Sequence, residues 1–189
     1  MAFEDYKTKP SVVLVYTGEG KGKTSASVGL LGRALGNGWR VAFIQFIKHW
    51  DVSEHTFIRE IQPLYGKKLF FFKGGKGFYN AGDLSAKNIT PEEHRLAAEL
   101  TFETAMDCAT NGNYELVICD EINNAVNDGL LNIQDIKQLI TQRNPATSLF
   151  LTGRNFKPEL LDFVDIATEM KKIKHHFDDK FLANKGIDF

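Results

Sequence analysis

Cysteine is scarce in this chain. Cys108 and Cys119 are the only two, and they lie apart without metal-site spacing. That excludes a disulfide framework and a thiolate metal centre. Cys119, inside an apolar run, reads as a small core residue. Charge of one sign is lacking as well. With 23 basic and 24 acidic residues the formal net charge is -1, so neither nucleic acid nor an anionic membrane is expected as a general partner. Any anion site has to be local. No run approaches the roughly 18 apolar residues that span a bilayer. The N-terminal MAFEDYKTKP is polar and mixed in charge, unlike a secretory signal. A cytoplasmic location is the expectation.

What is present suits one globular domain with a substantial core: 189 residues, 43% of them hydrophobic and 25% charged. Short apolar runs alternate with longer helical patterns. SVVLVY (Ser11–Tyr16), RVAFIQF (Arg40–Phe46), KLFFF (Lys68–Phe72), YELVIC (Tyr114–Cys119) and TSLFLT (Thr147–Thr152) read as strands. They are continuous rather than alternating, as strands covered on both faces are. DIATEM (Asp165–Met170) is a weaker sixth candidate.

Between the strands lie helix signals. One pattern runs from Lys23 to about Leu35 and stops at Gly36-Asn37-Gly38. Another opens at Thr90 with Pro91 in its first turn and Glu93 three residues on, a capping box. A third spans Asn132–Arg143. This rhythm predicts parallel βαβ units and an α/β sandwich. The stretch from Phe72 to Asn88 has neither period and is long for a loop, which marks it as functional or mobile.

The segment TGEGKGKT (Thr17–Thr24) nearly spells a phosphate-binding loop. Gly22, Lys23 and Thr24 supply the second half of the pattern, but its first glycine is due at position 17, where Thr17 stands; the glycine comes one place later, at Gly18. A buried strand runs into the loop and a helix leaves it. That arrangement points backbone N–H groups and a helix N-terminus at one spot, on which Lys21 and Lys23 converge. A phosphate site is expected there, with the Thr24 hydroxyl on a magnesium ion.

A metal at such a loop needs an acid at the end of another strand. Asp120 and Glu121 follow the apolar run LVIC and look like a Walker B pair, one of which would hold Mg²⁺ directly or through water. Arg154 follows the strand ending LFLT and either reaches the phosphates or is a surface arginine after a turn. Gln45, Lys48 and Trp50 fall at the same sheet edge, and Phe78 and Tyr79 lie in the irregular loop. Aromatics near a nucleotide site suit a large flat ligand; either one alone could equally pack its loop onto the core. His175 and His176 are adjacent and cannot face one ligand from the same helix surface, so a zinc site is not expected.

GEGKGKTSASVGLLGRALGNG, VAFIQFIK, VICDEIN, LTGRN, ATEM and the closing KHHFDDKFLANKGIDF together resemble the corrinoid adenosyltransferases of the CobA/BtuR type, in that family's order from about Val12 to Phe189. The shortened loop is itself a feature of that family. The resemblance implies a single domain over residues 1–189, with a three-layer RecA-like P-loop fold and a mainly parallel sheet. It implies transfer of the adenosyl group of ATP to the cobalt(I) of a reduced corrinoid, cobalamin or a precursor, leaving triphosphate. It also implies Mg²⁺ (or Mn²⁺), a homodimer and a reduced flavoprotein as electron donor.

Carried onto this chain, the resemblance places ATP on Gly18, Glu19, Gly20, Lys21, Gly22, Lys23, Thr24, Ser25 and Arg154. Lys21 and Lys23 would stabilise the leaving group, and no protein nucleophile is needed. Thr24, Asp120 and Glu121 would hold the metal, and Phe78, Tyr79, Asn80, Gln45 and Trp50 would meet the corrinoid. The family's GFTW is GFYN here, with Asn80 where the tryptophan would stand. That bears on how the lower axial ligand of cobalt is excluded and on which corrinoid is preferred. The loop from Gly74 to Leu84 is expected to be mobile and to order on corrinoid binding. Two other readings remain at this point: a conventional P-loop ATPase or kinase, and a nucleotide-gated corrinoid carrier.

Overall fold

The computed structural model describes residues 5–77, 79 and 88–189. Six strands form one sheet in the order β3-β2-β4-β5-β1-β6: β1 (Val13–Thr17), β2 (Val41–Gln45), β3 (Leu69–Lys73), β4 (Leu116–Asp120), β5 (Ser148–Thr152) and β6 (Ile166–Glu169). Every pairing is parallel. All six expected strands form, within two residues of the expected limits at every end.

Because successive strand residues face opposite ways, the sheet builds two cores. Val41, Phe43, Leu116, Ile118 and Phe150 pack with Leu31, Ala34, Leu35 and Ile58 on one face. Those partners belong to helices α1 (Lys23–Gly36) and α2 (Ser53–Tyr65). Ala42, Ile44, Val117, Cys119, Leu149 and Leu151 pack on the other face with Ala105, Cys108, Ile122 and Leu139. These come from α3 (Pro91–Thr110), α4 (Ile122–Asn127) and α5 (Ile133–Gln142). The result is the three-layer, RecA-like P-loop class of fold that the sequence predicts. The central strands are buried along their whole length, which is why their runs do not alternate.

Helix α3 begins at the expected capping box: the Thr90 hydroxyl accepts from the Glu93 amide, and the Glu93 carboxylate accepts from Thr90 N (2.7 Å). Helix α2 is marked in the sequence only by Glu54 in its first turn and Gly66 just past its end. It has no side-chain cap and contains Pro63 near its end. Burial of His55 and Ile58 against the sheet holds it in place.

The glycine loop takes its shape from the edge strand. Thr17 is still part of β1, in register with Glu169 of β6, and its hydroxyl accepts from Phe156 N. The turn therefore cannot begin until Gly18, whose φ is +94°. Just beyond, Met170 N donates to Thr17 O (2.8 Å) and Met170 O accepts from Gly20 N (2.6 Å). A Cβ at either Gly18 or Gly20 would stand 2.6 Å from Met170 O. The displaced glycine thus follows from a strand one residue longer than the pattern assumes and from a backbone pressed against the loop.

Two glycine substitutions separate these roles. Gly29 lies inside α1, and a Cβ added there would meet nothing within 4 Å, so Gly29→Ala should stabilise the protein by about 0.5–1 kcal/mol. Gly20→Ala should instead lower the melting temperature, because Met170 has to move. Equal melting temperatures for the two variants would show that Met170 does not shape the loop.

Candidate functional site

The carboxyl ends of β2, β4 and β5 bring Gln45, Asp120 and Thr152 together. Each has the parity of the residues facing α1 and α2, and Gln45 and Asp120 are direct partners in the β2–β4 register. All three are completely buried. Asp120 is the hub. Its Oδ1 accepts from Ser27 Oγ (2.9 Å) and Thr152 Oγ1 (2.8 Å), and its Oδ2 accepts from Thr24 Oγ1 (3.0 Å) and Gln45 Nε2 (2.8 Å). A carboxylate offers about four lone-pair sites, so this one is saturated. Thr152 Oγ1 in turn accepts from Glu121 N (3.0 Å), tying the acid pair to β5.

Glu121 is built differently. Its φ of +64° places a non-glycine residue in the left-handed region at the N-cap of α4, a conformation that costs free energy and recurs at functional sites. Among the described residues its buried Oε2 has no hydrogen-bond partner. Burial, then the neighbouring charge of Asp120, push its carboxyl up to about 7. Lys48 stands on the same side. Burial opposes its charge, but Glu121, Asp120 and Glu54 outweigh that and hold its pKa above the usual lysine value. Its ammonium is paired with Glu54.

On the loop, Gly22 (φ +105°) caps α1. Lys23 Nζ donates to the carbonyls of Gly18 and Gly20, the latter at 2.7 Å. Burial, then Arg154, lower its pKa. The loop thus folds around its own lysine, whose ammonium is held inside it by two backbone carbonyls. Ser25 is exposed on the first turn of α1. Arg154 pairs with Glu19 across the loop mouth (2.9 Å). Lys21 does not converge with Lys23; its ammonium is paired with Asp188 of the C-terminal segment (2.8 Å).

Gln45, expected at the corrinoid, presents no surface to any ligand; its amide lies between Asp120 and His55. Trp50 is 39% exposed beyond the end of β2. The Tyr79 ring is half-buried against His94 of α3 (centroids 5.2 Å apart) and packs on the core. Phe78 and Asn80 lie outside the described residues, as does most of the Gly74–Leu84 loop. The loop's first residues are anchored: Gly74 N donates to Gln45 O (3.0 Å), Gly77 N donates to Ile47 O (2.9 Å), and Gly75 abuts Ile47.

Sequence reasoning missed Ser27, Thr152, His55 and the backing by Met170. Ser27 had a signal, being three residues beyond Thr24 on the same helix face, and so had Thr152 at a strand end. His55 and Met170 had none, because tertiary packing alone brings them in.

The sheet order and the loop-to-helix junction place the protein in the RecA-like P-loop class. Within it, the family profile described as ATP:corrinoid adenosyltransferase BtuR/CobO/CobP matches residues 9–189. The chain belongs to this family of transferase enzymes. It is similar to a corrinoid adenosyltransferase of Pseudomonas aeruginosa, 31% identical over 94% of this chain and 83% of the relative. It is also similar to one of Sinorhizobium (31%, 94% and 80%) and to one of Escherichia coli K12 (27%, 94% and 85%).

The raised pKa of Glu121 gives a signed prediction for the metal-free protein. An ordinary glutamate titrates near about 4.3, so the folded state favours the protonated carboxyl and loses stability as pH rises from about 4 to 7. With chelator present, Glu121→Gln should melt above the parent at about pH 8, and the gap should close as pH falls toward about 4. Thermal melts across that range check it; a pH-independent gap would remove the buried charge as its cause.

Proposed function

We propose that this protein transfers the 5′-deoxyadenosyl group of ATP to the cobalt(I) of a corrinoid, releasing triphosphate, in adenosylcobalamin synthesis or salvage. The observation that carries this reading is the family match over residues 9–189, which takes in the glycine loop, both acids and the C-terminal segment. The cobalt(I) centre of the substrate attacks C5′ of the ribose. The C5′–O bond breaks, and its electron pair leaves with the triphosphate. The protein therefore has to hold and neutralise a leaving group rather than supply a nucleophile.

The loop amides and Lys23 supply positive charge for the polyphosphate at the head of α1. Lys21 would join them on leaving Asp188, and Arg154 on leaving Glu19. The donor set also fits a hard divalent cation such as Mg²⁺ or Mn²⁺, which takes oxygen ligands. Thr24 spends its single hydroxyl proton on Asp120, leaving its lone pairs for a cation, and Glu121 Oε2 is a buried oxygen without a partner among the described residues. We assign the direct contact to Thr24 and Glu121 and the supporting one to the saturated Asp120. A bound cation would add charge neutralisation at the departing phosphates. Trp50, Phe78 and Asn80 form our candidate corrinoid contacts; a homodimer in the cytoplasm, reduced by a flavoprotein, completes the reading.

One observation favours a second reading, hydrolysis of the terminal phosphate. A glutamate held near neutrality beside a saturated aspartate is suited to act as a base toward water. The products decide between the two. Anaerobic incubation with ATP, Mg²⁺ and chemically reduced cobalamin should give the adenosylcobalamin spectrum and triphosphate in equal amounts. Inorganic phosphate with an unchanged corrinoid spectrum would establish the second reading. In the same assay Lys23→Ala and Thr24→Ala should lose activity by at least about a hundredfold, Lys23→Ala with a melting temperature near the parent and Thr24→Ala with a lower one, since it removes a donor to the buried Asp120. Near-parent rates at saturating ATP would dismiss the phosphate assignment.

A further inference from the structure

Asp120 is held from two directions. Ser27 and Thr24 reach it from α1, next to the glycine loop. From the far side a separate chain of hydrogen bonds arrives, starting in α2. His55 is completely buried, its Nδ1 faces the Val52 amide (3.5 Å), and its Nε2 meets Gln45 Oε1. The polarity of the chain follows from the carboxylate, which only accepts. Gln45 must turn its NH₂ toward Asp120 and its carbonyl toward His55, so His55 Nε2 must carry a proton. The Val52 amide donates to Nδ1, and the Asp51 carboxylate 3.6 Å from the same nitrogen is taken up by Lys73 (3.0 Å) and Arg59 (3.2 Å), so Nδ1 carries no proton and the ring is neutral. Each link donates toward Asp120 Oδ2, the oxygen on which Thr24 spends its own proton.

We propose that His55 and Gln45 are positioning residues for the Thr24 hydroxyl, acting through Asp120 from a helix outside the glycine loop. This rests on the reading of Thr24 as a metal contact. Without Gln45, Oδ2 has one donor where it now has two, and the carboxylate is free to turn about its Cβ–Cγ bond. Thr24 then follows Oδ2, and its lone pairs no longer face the cation. Without His55, the Gln45 carbonyl is left buried and unpaired, and the amide can rotate to offer Asp120 an oxygen in place of a donor. Burial, then the charge of Lys73, lower the pKa of His55, which keeps the ring in the neutral form that the polarity demands.

The test measures Mn²⁺ binding by electron paramagnetic resonance to ATP-loaded protein without corrinoid, in the parent and in Gln45→Met, His55→Phe and Thr24→Ala. Gln45→Met and His55→Phe should each weaken Mn²⁺ binding about tenfold, the scale of effect of groups that orient metal ligands. Parent-like Mn²⁺ affinity in these two variants, with loss in Thr24→Ala, overturns the positioning role alone, whatever their melting temperatures. Parent-like affinity in Thr24→Ala overturns the metal reading and this inference with it. Should the buried substitutions prevent folding, the parent protein decides. Its imidazole ¹⁵N spectrum should show His55 as the neutral Nε2–H tautomer, and the Nε2 signal should shift when Mg²⁺ is added to the ATP-loaded protein. An imidazolium, an Nδ1–H tautomer or an unmoved signal overturns the proposal.

Discussion

A buried carboxylate that accepts four hydrogen bonds governs this end of the molecule. Taking Asp120 out of water would be prohibitive without them. The donors come from β2, β5 and two positions on α1. Those elements are consequently fixed relative to one another at the point where the chain also opens its glycine loop. The same bonds stiffen the site and specify the local packing, because a partly satisfied network would be worse than an apolar one. The arrangement follows from parity. Residues 41, 43 and 45, with 116, 118 and 120, face the α1–α2 layer, so the polar residue ending each run lands beside its counterpart.

The acid pair divides its labour for a related reason. Asp120 completes the strand and is enclosed by it. Glu121 caps the next helix in a left-handed conformation, which swings its side chain out of the strand's alternation and leaves one oxygen without a partner among the described residues. Two adjacent carboxylates thus differ in their surroundings: one is fully hydrogen-bonded, the other held near neutrality by burial. Chemistry that gathers negative charge at one place and must neutralise it benefits from that difference.

Much of this was legible in the sequence. Continuous apolar runs ending in Asp120 and Thr152 announced parallel strands, and the Thr90 capping box announced α3. The glycine loop and the acid pair were visible as motifs. What escaped has a common physical origin. Helix α2 has only Glu54 in its first turn and Gly66 past its end to announce it, and the place of His55 against Gln45 is set by packing that no local pattern shows. Gln45 was misplaced because a glutamine at the end of an apolar strand looks like a group at a ligand-binding edge; only the β2–β4 register shows that it faces Asp120. Lys21 and Asp188 are 167 positions apart, and their ion pair has no signature at either end of the chain.

The backing of the glycine loop by Met170 ties the loop to the outermost strand. Among the described residues that strand pairs on one side only, with β1, and its own residues are largely exposed. Strand edges of this kind open locally at a smaller free-energy cost than the sheet interior. Amide exchange at Gly20 therefore reports on fraying of β6, five strands across the sheet from the β3 edge. Whatever clamps the loop tightens an edge that is distant in sequence. The affinity of the loop for any anion thereby includes the work of keeping that edge closed.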